Sequence, residues 1–444
     1  MAKILDWLYE LLWGTPMLLL MLGVGVWLTV CTRFVQLRLF PQAVRRFLRR
    51  DAPSGGVSPF RALCTALAAT VGTGNLVGVA GAICLGGPGA VFWMLFFAFF
   101  GMAVKFAEAT LAVRFRQRRD GETVGGPMYM IRAQLPRVFL PLAYAYSACG
   151  VLASFGVGNL TQVNAIVTGV QSIRPELSPI ALGLGLTALV GFAFWKGADS
   201  IGSVAERLVP YAASIYFALC LIFLTCRSSL IPKAFHDIFT GAFSPKAITG
   251  GLIGSAVRAV QVGCSRGVFT HEAGMGTASI AHASAAVDHP VEQGMMGLLE
   301  VFLDTFVICT MTALVILCSG VPVTYGTDAG AALTVSAFSA VYGSFGKVIV
   351  AAFLACFAYA TILGWSLYGL RCAQFLFGRR AAPVFFVFQT AAVTLGAVLK
   401  TPMVWRMAEI VNGLMAIPNL VALCFLSPEL RRLTNSYTRE TSRR

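Results

Sequence analysis

The chain has 444 residues, 57% of them hydrophobic and 12% charged, with a formal net charge of +15 and a mean hydropathy of +0.77. A water-soluble globule carries roughly 25% charged residues, so the composition excludes a soluble enzyme, and 33 Phe exclude a disordered chain. A polytopic membrane protein is left, and its apolar blocks are too long for the roughly 10-residue alternating strands of a β-barrel, so the spans are helices.

About eleven spans are predicted, each near the roughly 20 apolar residues a bilayer requires. The first six lie at 15–32, 60–83, 90–113, 138–173, 179–195 and 203–226. The other five lie at 248–269, 294–318, 346–377, 382–399 and 404–425. Two further segments, 272–286 and 329–342, read as helices that do not span. The first span has no basic leader and no small-x-small cleavage site, so it is expected to be a mature helix and not a signal peptide. The division expected is an extra helix with a basic loop at 1–58, five helices at 59–227, a connection at 228–247, five more helices at 248–427 and a polar, mobile, basic tail at 428–444.

The basic residues set the orientation. Arg33, Arg45, Arg46, Arg49, Arg114, Arg116, Arg118, Lys196, Arg266, Arg379 and the tail arginines fall on one side of this map. That side has roughly three times the Lys and Arg of the other, which places it in the cytoplasm. The C-terminus is then cytoplasmic and the N-terminus outside. The same bias accounts for the net charge, so nucleic acid is not an expected partner. The 12 Cys include no CxxC pair and lie mostly in apolar blocks, which reads as small buried hydrophobes and not as a disulfide or metal framework.

The second span carries Val71-Gly72-Thr73-Gly74-Asn75 at its middle. Two glycines and an Asn break a helix there, and at bilayer depth a break is tolerated only against protein or a water-filled cavity. The amides that open the second half-helix favour an anionic group, and the carbonyls from about Ala68 to Val71 are freed for a cation. The seventh span has a similar run, Gln261-Val262-Gly263-Cys264-Ser265-Arg266-Gly267. Each break opens a group of five helices, and an odd number gives the groups opposite topology. Paired interrupted helices in inverted halves point to a secondary transporter. Of the charges in the spans, Lys105 and Glu108 are expected to pair locally, and Glu300 and Asp304 to meet Arg258 or Arg266.

Longer motifs carry a resemblance. They are GTGNLVGVA at 72–80, GGPGAVFWM at 86–94, KFAEATLAVRFR at 105–116, GGPMYMI at 125–131, FGVGNLTQVNAI at 155–166, SRGVFTHEAGMG at 265–276 and ATILGWSLYGLRC at 360–372. Over essentially its whole length the chain resembles the alanine or glycine:cation symporter family, the sodium–alanine symporters. The resemblance implies an all-α LeuT-type fold of five-plus-five inverted repeats with one extra N-terminal helix. It implies that Thr73, Gly74 and Asn75 cradle the substrate carboxylate, that Gly158 and Gln162 touch the substrate and that Trp365 walls the pocket. It also implies that Thr361 binds sodium with the carbonyls of Ala68, Val71 and Ala358. Gln261 and Val262 are candidates near the substrate amine. The chain departs from the family pattern at Thr270-His271-Glu272-Ala273-Gly274, where Ser-Asn-Glu-Ala-Gly is usual, and at Tyr368-Gly369-Leu370-Arg371, where Tyr-Gly-Glu-Arg is usual. Both departures are expected toward the cytoplasmic side.

The expected function is sodium-coupled uptake of a small neutral amino acid, alanine or glycine, by alternating access. Sodium is co-transported, and no organic cofactor is expected. The expected setting is the bacterial or archaeal inner membrane, as a monomer in the lipid bilayer. No catalytic pair, triad or metal cluster is visible, so an enzyme is not expected. A proton-coupled symporter of another small amino acid on the same fold, or a channel, are the alternatives. No carboxylate is expected beside the first break, which argues against proton coupling.

Overall fold

The computed structural model describes residues 2–49, 56–119, 121–195, 198–251, 255–327, 330–399 and 401–442. Lys196, Lys400 and the last two arginines of the tail lie outside the described residues. Apart from a small hairpin pairing Gln117–Arg119 with Glu122–Val124, the described chain is helical. Eight described helices are long and apolar enough to cross a membrane, and a ninth span is the pair Pro59–Thr70 and Gly74–Gly86, bent by 52°. The helix Pro179–Trp195 and the pair Ala256–His271 and Thr277–His282 complete the two groups of five.

The sequence places most spans well, and four differences have physical causes. Helix Ala2–Trp13 precedes the first span and meets it at Gly14, and its Trp13 indole donates to the Glu409 carbonyl at 2.8 Å. Phe40–Arg49, read as basic loop, is an amphipathic helix whose Phe40 and Phe47 pack on Phe302 and Phe60 while Arg46 binds Glu292 at 2.6 Å. The connection 228–247 contains a helix, Ile231–Phe243. The tail is helical through Ser442 and not a loop. The last helix runs from Thr401 to Ser442, because Leu430, Leu433 and Thr434 keep one face buried.

The largest correction concerns the second break. Helix Ala256–His271 runs uninterrupted through Gly263 and Gly267. Those glycines permit close packing: a Cβ at Gly263 would meet the Ala90 carbonyl oxygen at 2.4 Å. The break comes later, at Glu272, which has φ +53, and at Gly274 and Gly276 with φ +96 and +76. Thr277–His282 then resumes as a short helix, less than the predicted 272–286. Helix Gly89–Arg114 packs along both Ala256–His271 and Pro290–Val301, and Phe345–Phe377 crosses behind the first break. Trp365, Tyr368 and Lys105 are among the largest fully buried side chains.

Candidate functional site

Helix Pro59–Thr70 ends because the next amide finds a different acceptor. The Gly72 N–H donates to Asn75 Oδ1 at 2.9 Å, where a continuing helix would have it bind the Ala68 carbonyl. Asn75 thus stands in for a backbone partner and diverts that amide from Ala68. Its Nδ2 donates in turn to Asp304 Oδ1 at 2.6 Å, and Asp304 Oδ2 accepts from Thr305 Oγ1 at 2.8 Å. Asp304 is fully buried in the π-helical stretch Phe302–Cys309. Such stretches widen a helix locally and are frequent at functional sites. Two more lie at the centre, Gly74–Gly78 and Gly156–Leu160.

Three elements converge on Gly72. A Cβ built there would meet Thr361 Oγ1 at 2.5 Å and Gln162 Oε1 at 3.6 Å. Thr361 Oγ1 donates to the Phe357 carbonyl at 3.0 Å, which leaves the oxygen's lone pairs facing the break. Ala358 lies one turn earlier on the same helix and is buried. Thr73 Oγ1 and Gln162 Oε1 are buried and have no hydrogen-bond partner among the described residues. Buried polar atoms in native proteins are nearly always satisfied, so oxygens left open at a helix break suit a bound cation or polar ligand.

Trp365 closes the other side. A Cβ at Gly158 would stand 2.3 Å from Trp365 Cβ, so only glycine admits the ring. Trp365 Nε1 donates to Glu272 Oε1 at 2.9 Å, and Glu272 Oε2 accepts from Thr277 Oγ1 at 2.6 Å. The indole is therefore tied to the second break. Gly158→Ala is expected to overpack this contact, at a cost of about 1–3 kcal/mol, and to lower substrate affinity. Thermal melting together with ligand binding checks this, and unchanged values for both would contradict it.

The structure thus brings together Ala68, Val71, Thr73, Gly74, Asn75, Gly158, Gln162, Thr361 and Trp365, with Ala358 beside them. Gln261 and Val262 are not with this group. They sit in regular helix, where Gln261 Nε2 reaches Thr15 Oγ1 at 3.5 Å and Val262 packs on Gly86. Their placement near the substrate amine is corrected for that reason. Two acids missing from the sequence-based set belong to the centre. Asp304 stands beside the first break, where no carboxylate was expected, and its signal was an unpaired acid at mid-membrane. Glu272 lies at the centre, bonded to Trp365, and its signal was the Gly274–Gly276 pair that follows it.

The remaining buried charges hold the second break in place. Lys105 pairs with Glu300 at 2.8 Å, not with Glu108, and His282 Nε2 lies 2.9 Å from the other Glu300 oxygen. Glu108 Oε1 accepts from the Gly274 and Gly276 amides, both at 3.0 Å, and from Asn419 Nδ2 at 2.7 Å. Neither Arg258 nor Arg266 meets Glu300 or Asp304. Arg266 pairs with Glu409 at 3.5 Å and lines a cleft with Thr15 and Arg258, on the opposite side from the basic loops with which the sequence map grouped it. No cluster of metal-binding His, Cys, Asp or Glu occurs among the described residues.

Comparisons with known proteins agree with this architecture. The model of the "Sodium:alanine symporter family" matches residues 1–444. The chain is 42% identical over 423 residues to the sodium/alanine symporter AgcS of Methanococcus maripaludis, covering 94% of this chain and 92% of that protein. It is 34% identical to the probable sodium/glutamine symporter GlnT of Bacillus subtilis, covering 97% and 89%. Among solved structures, MhsT in complex with L-phenylalanine superposes with a TM-score of 0.55 at 17% identity, over 86% of this chain and 99% of that one. That likeness shows a shared fold, the LeuT type.

Proposed function

We propose that this chain, which belongs to the sodium:alanine symporter family and is a cation-coupled amino-acid symporter and not an enzyme, carries alanine or glycine inward with sodium. One observation supports this most: the convergence of the first break, Thr361 and Gln162 at Gly72. Sodium is a hard cation that takes oxygen ligands. The Thr361 hydroxyl and the carbonyls of Ala68, Val71 and Ala358 supply them without a buried carboxylate. The substrate carboxylate meets the first amides of Gly74–Gly86, at the positive end of that half-helix. Thr73 and Gln162 supply the open oxygens beside it, and Trp365 against Gly158 leaves room only for a small side chain.

Asn75 holds this arrangement together through its bonds to the break and to Asp304. The helix bundle rocks to expose the site to either side in turn, with the N-terminus outside. Thr361→Ala is expected to raise the sodium concentration for half-maximal uptake about tenfold or more, a loss of at least 1.4 kcal/mol, without loss of expression. An unchanged sodium dependence would remove Thr361 from the ion site.

A second reading, proton coupling, has one observation in its favour: Asp304 is buried and makes no ion pair among the described residues. A buried carboxylate without a cation is costly when ionised, so a proton on Asp304 would serve. Asp304→Asn separates the readings. If sodium drives uptake, the variant keeps a sodium-dependent component. If protons drive it, the variant loses all accumulation.

A further inference from the structure

A cleft of about 480 Å³ opens away from the central site, lined by Glu10, Trp13, Leu85, Arg258, Gln261 and Arg266 among others. Its walls come from the N-terminal helix Ala2–Trp13 and from Val79–Gly86 and Ala256–His271, one half of each broken span. Val262 packs on Gly86 at the cleft, and Thr270 packs on Gly74 at the centre. The cleft and the central site are thus two ends of one pair of half-helices. The eight residues from Val262 to Thr270 span about 12 Å at a rise of about 1.5 Å each.

Two charges of opposite sign in the cleft are left over for a ligand. Glu10 and Arg258 are exposed, and neither makes an ion pair among the described residues. Arg266 is engaged by Glu409. The buried charges around the centre are, by contrast, paired or hydrogen-bonded. A free carboxylate and a free guanidinium in one cleft, beside the apolar Trp13 and Leu85, match a zwitterion with a small apolar part. Arginine presents a planar fork that binds a carboxylate through two parallel hydrogen bonds.

We propose that this cleft is a second, outer binding site for a zwitterionic amino acid, with Arg258 taking its carboxylate, Glu10 its ammonium group and Gln261 contributing a side-chain amide. The inference rests on the reading that the chain carries neutral amino acids. The outer site is weak, because its charges are solvated. It is independent of sodium, because none of the oxygens assigned to the ion lies in the cleft. It holds substrate at the mouth of the path that the two half-helices share.

The test is labelled-alanine binding to the purified full chain in detergent, in sodium and in potassium buffer. The wild type is expected to show a sodium-dependent component and a weaker one that persists in potassium. Arg258→Ala is expected to lose the potassium component and keep the sodium-dependent one, which also shows that the variant is folded. Glu10→Gln is expected to weaken the potassium component at least threefold and serves if Arg258→Ala does not fold. Potassium-phase binding that is the same in the wild type and both variants, or absent from the wild type, overturns the outer site alone. A potassium component lost in Arg258→Ala, with no sodium-dependent component in the wild type, keeps the outer site and overturns the sodium reading. No alanine binding in either buffer overturns both.

Discussion

Replacing Lys105 by methionine is expected to destabilise the protein by about 3–5 kcal/mol, because it leaves Glu300 charged and unpaired in the interior. Both side chains are fully buried and their charged atoms stand 2.8 Å apart. Attraction between charges is strong in such a setting, but so is the penalty for desolvating them, and removing one partner leaves only the penalty. The pair also joins helix Gly89–Arg114 to helix Pro290–Val301, and through His282 it reaches the short helix after the second break. The loss is read as a lower melting temperature in detergent and reduced expression. The double variant Lys105→Met with Glu300→Gln is expected to recover much of it, since no charge is stranded and the glutamine still meets His282. A single variant that melts like the wild type would show that this pair does not hold the bundle.

The second large effect is expected at Asn75. Asn75→Ala removes the acceptor of the Gly72 amide and the donor to Asp304 together. A hydrogen bond contributes about 0.5–1.5 kcal/mol between neutral groups and about 1.5–3 kcal/mol to a charged one, so substrate affinity is expected to fall about tenfold to a hundredfold and uptake to fall below detection. The helix no longer has a side chain to end it at Val71, and the amide of Gly72 is free to close on Ala68. Sodium affinity is therefore expected to fall with substrate affinity, although Asn75 is not an ion ligand. Binding titrations in detergent measure both. Loss of substrate binding with sodium affinity unchanged would separate Asn75 from the ion site.

The first break was legible because its signal is local. Gly72, Gly74 and Asn75 lie within four residues, and Asn75 acts on Gly72 three positions away. The second break was misplaced for an equally local reason. The Gly263 region has the composition of a break, but its glycines serve packing against Gly89–Arg114, and only the partner helix reveals that. The positive φ at Glu272, Gly274 and Gly276 falls in a segment that reads as the start of another helix. The buried charges were harder still. Lys105 has Glu108 one turn away in sequence, yet its partner is Glu300, 195 residues on. Asp304 meets Asn75 across 229 residues. No periodicity encodes such pairs. Helix continuation through the tail was missed because Leu430 and Leu433 are spaced among arginines, which hides a narrow buried face.

The most direct test of the central claim is alanine uptake into proteoliposomes under an inward sodium gradient, with potassium replacing sodium in a parallel arm and a proton gradient in a third. Accumulation above equilibrium in the sodium arm alone is the expected result. Equal accumulation in the sodium and potassium arms, or accumulation only with the proton gradient, would contradict sodium as the driving ion. Uptake that never rises above equilibrium in any arm would contradict symport itself.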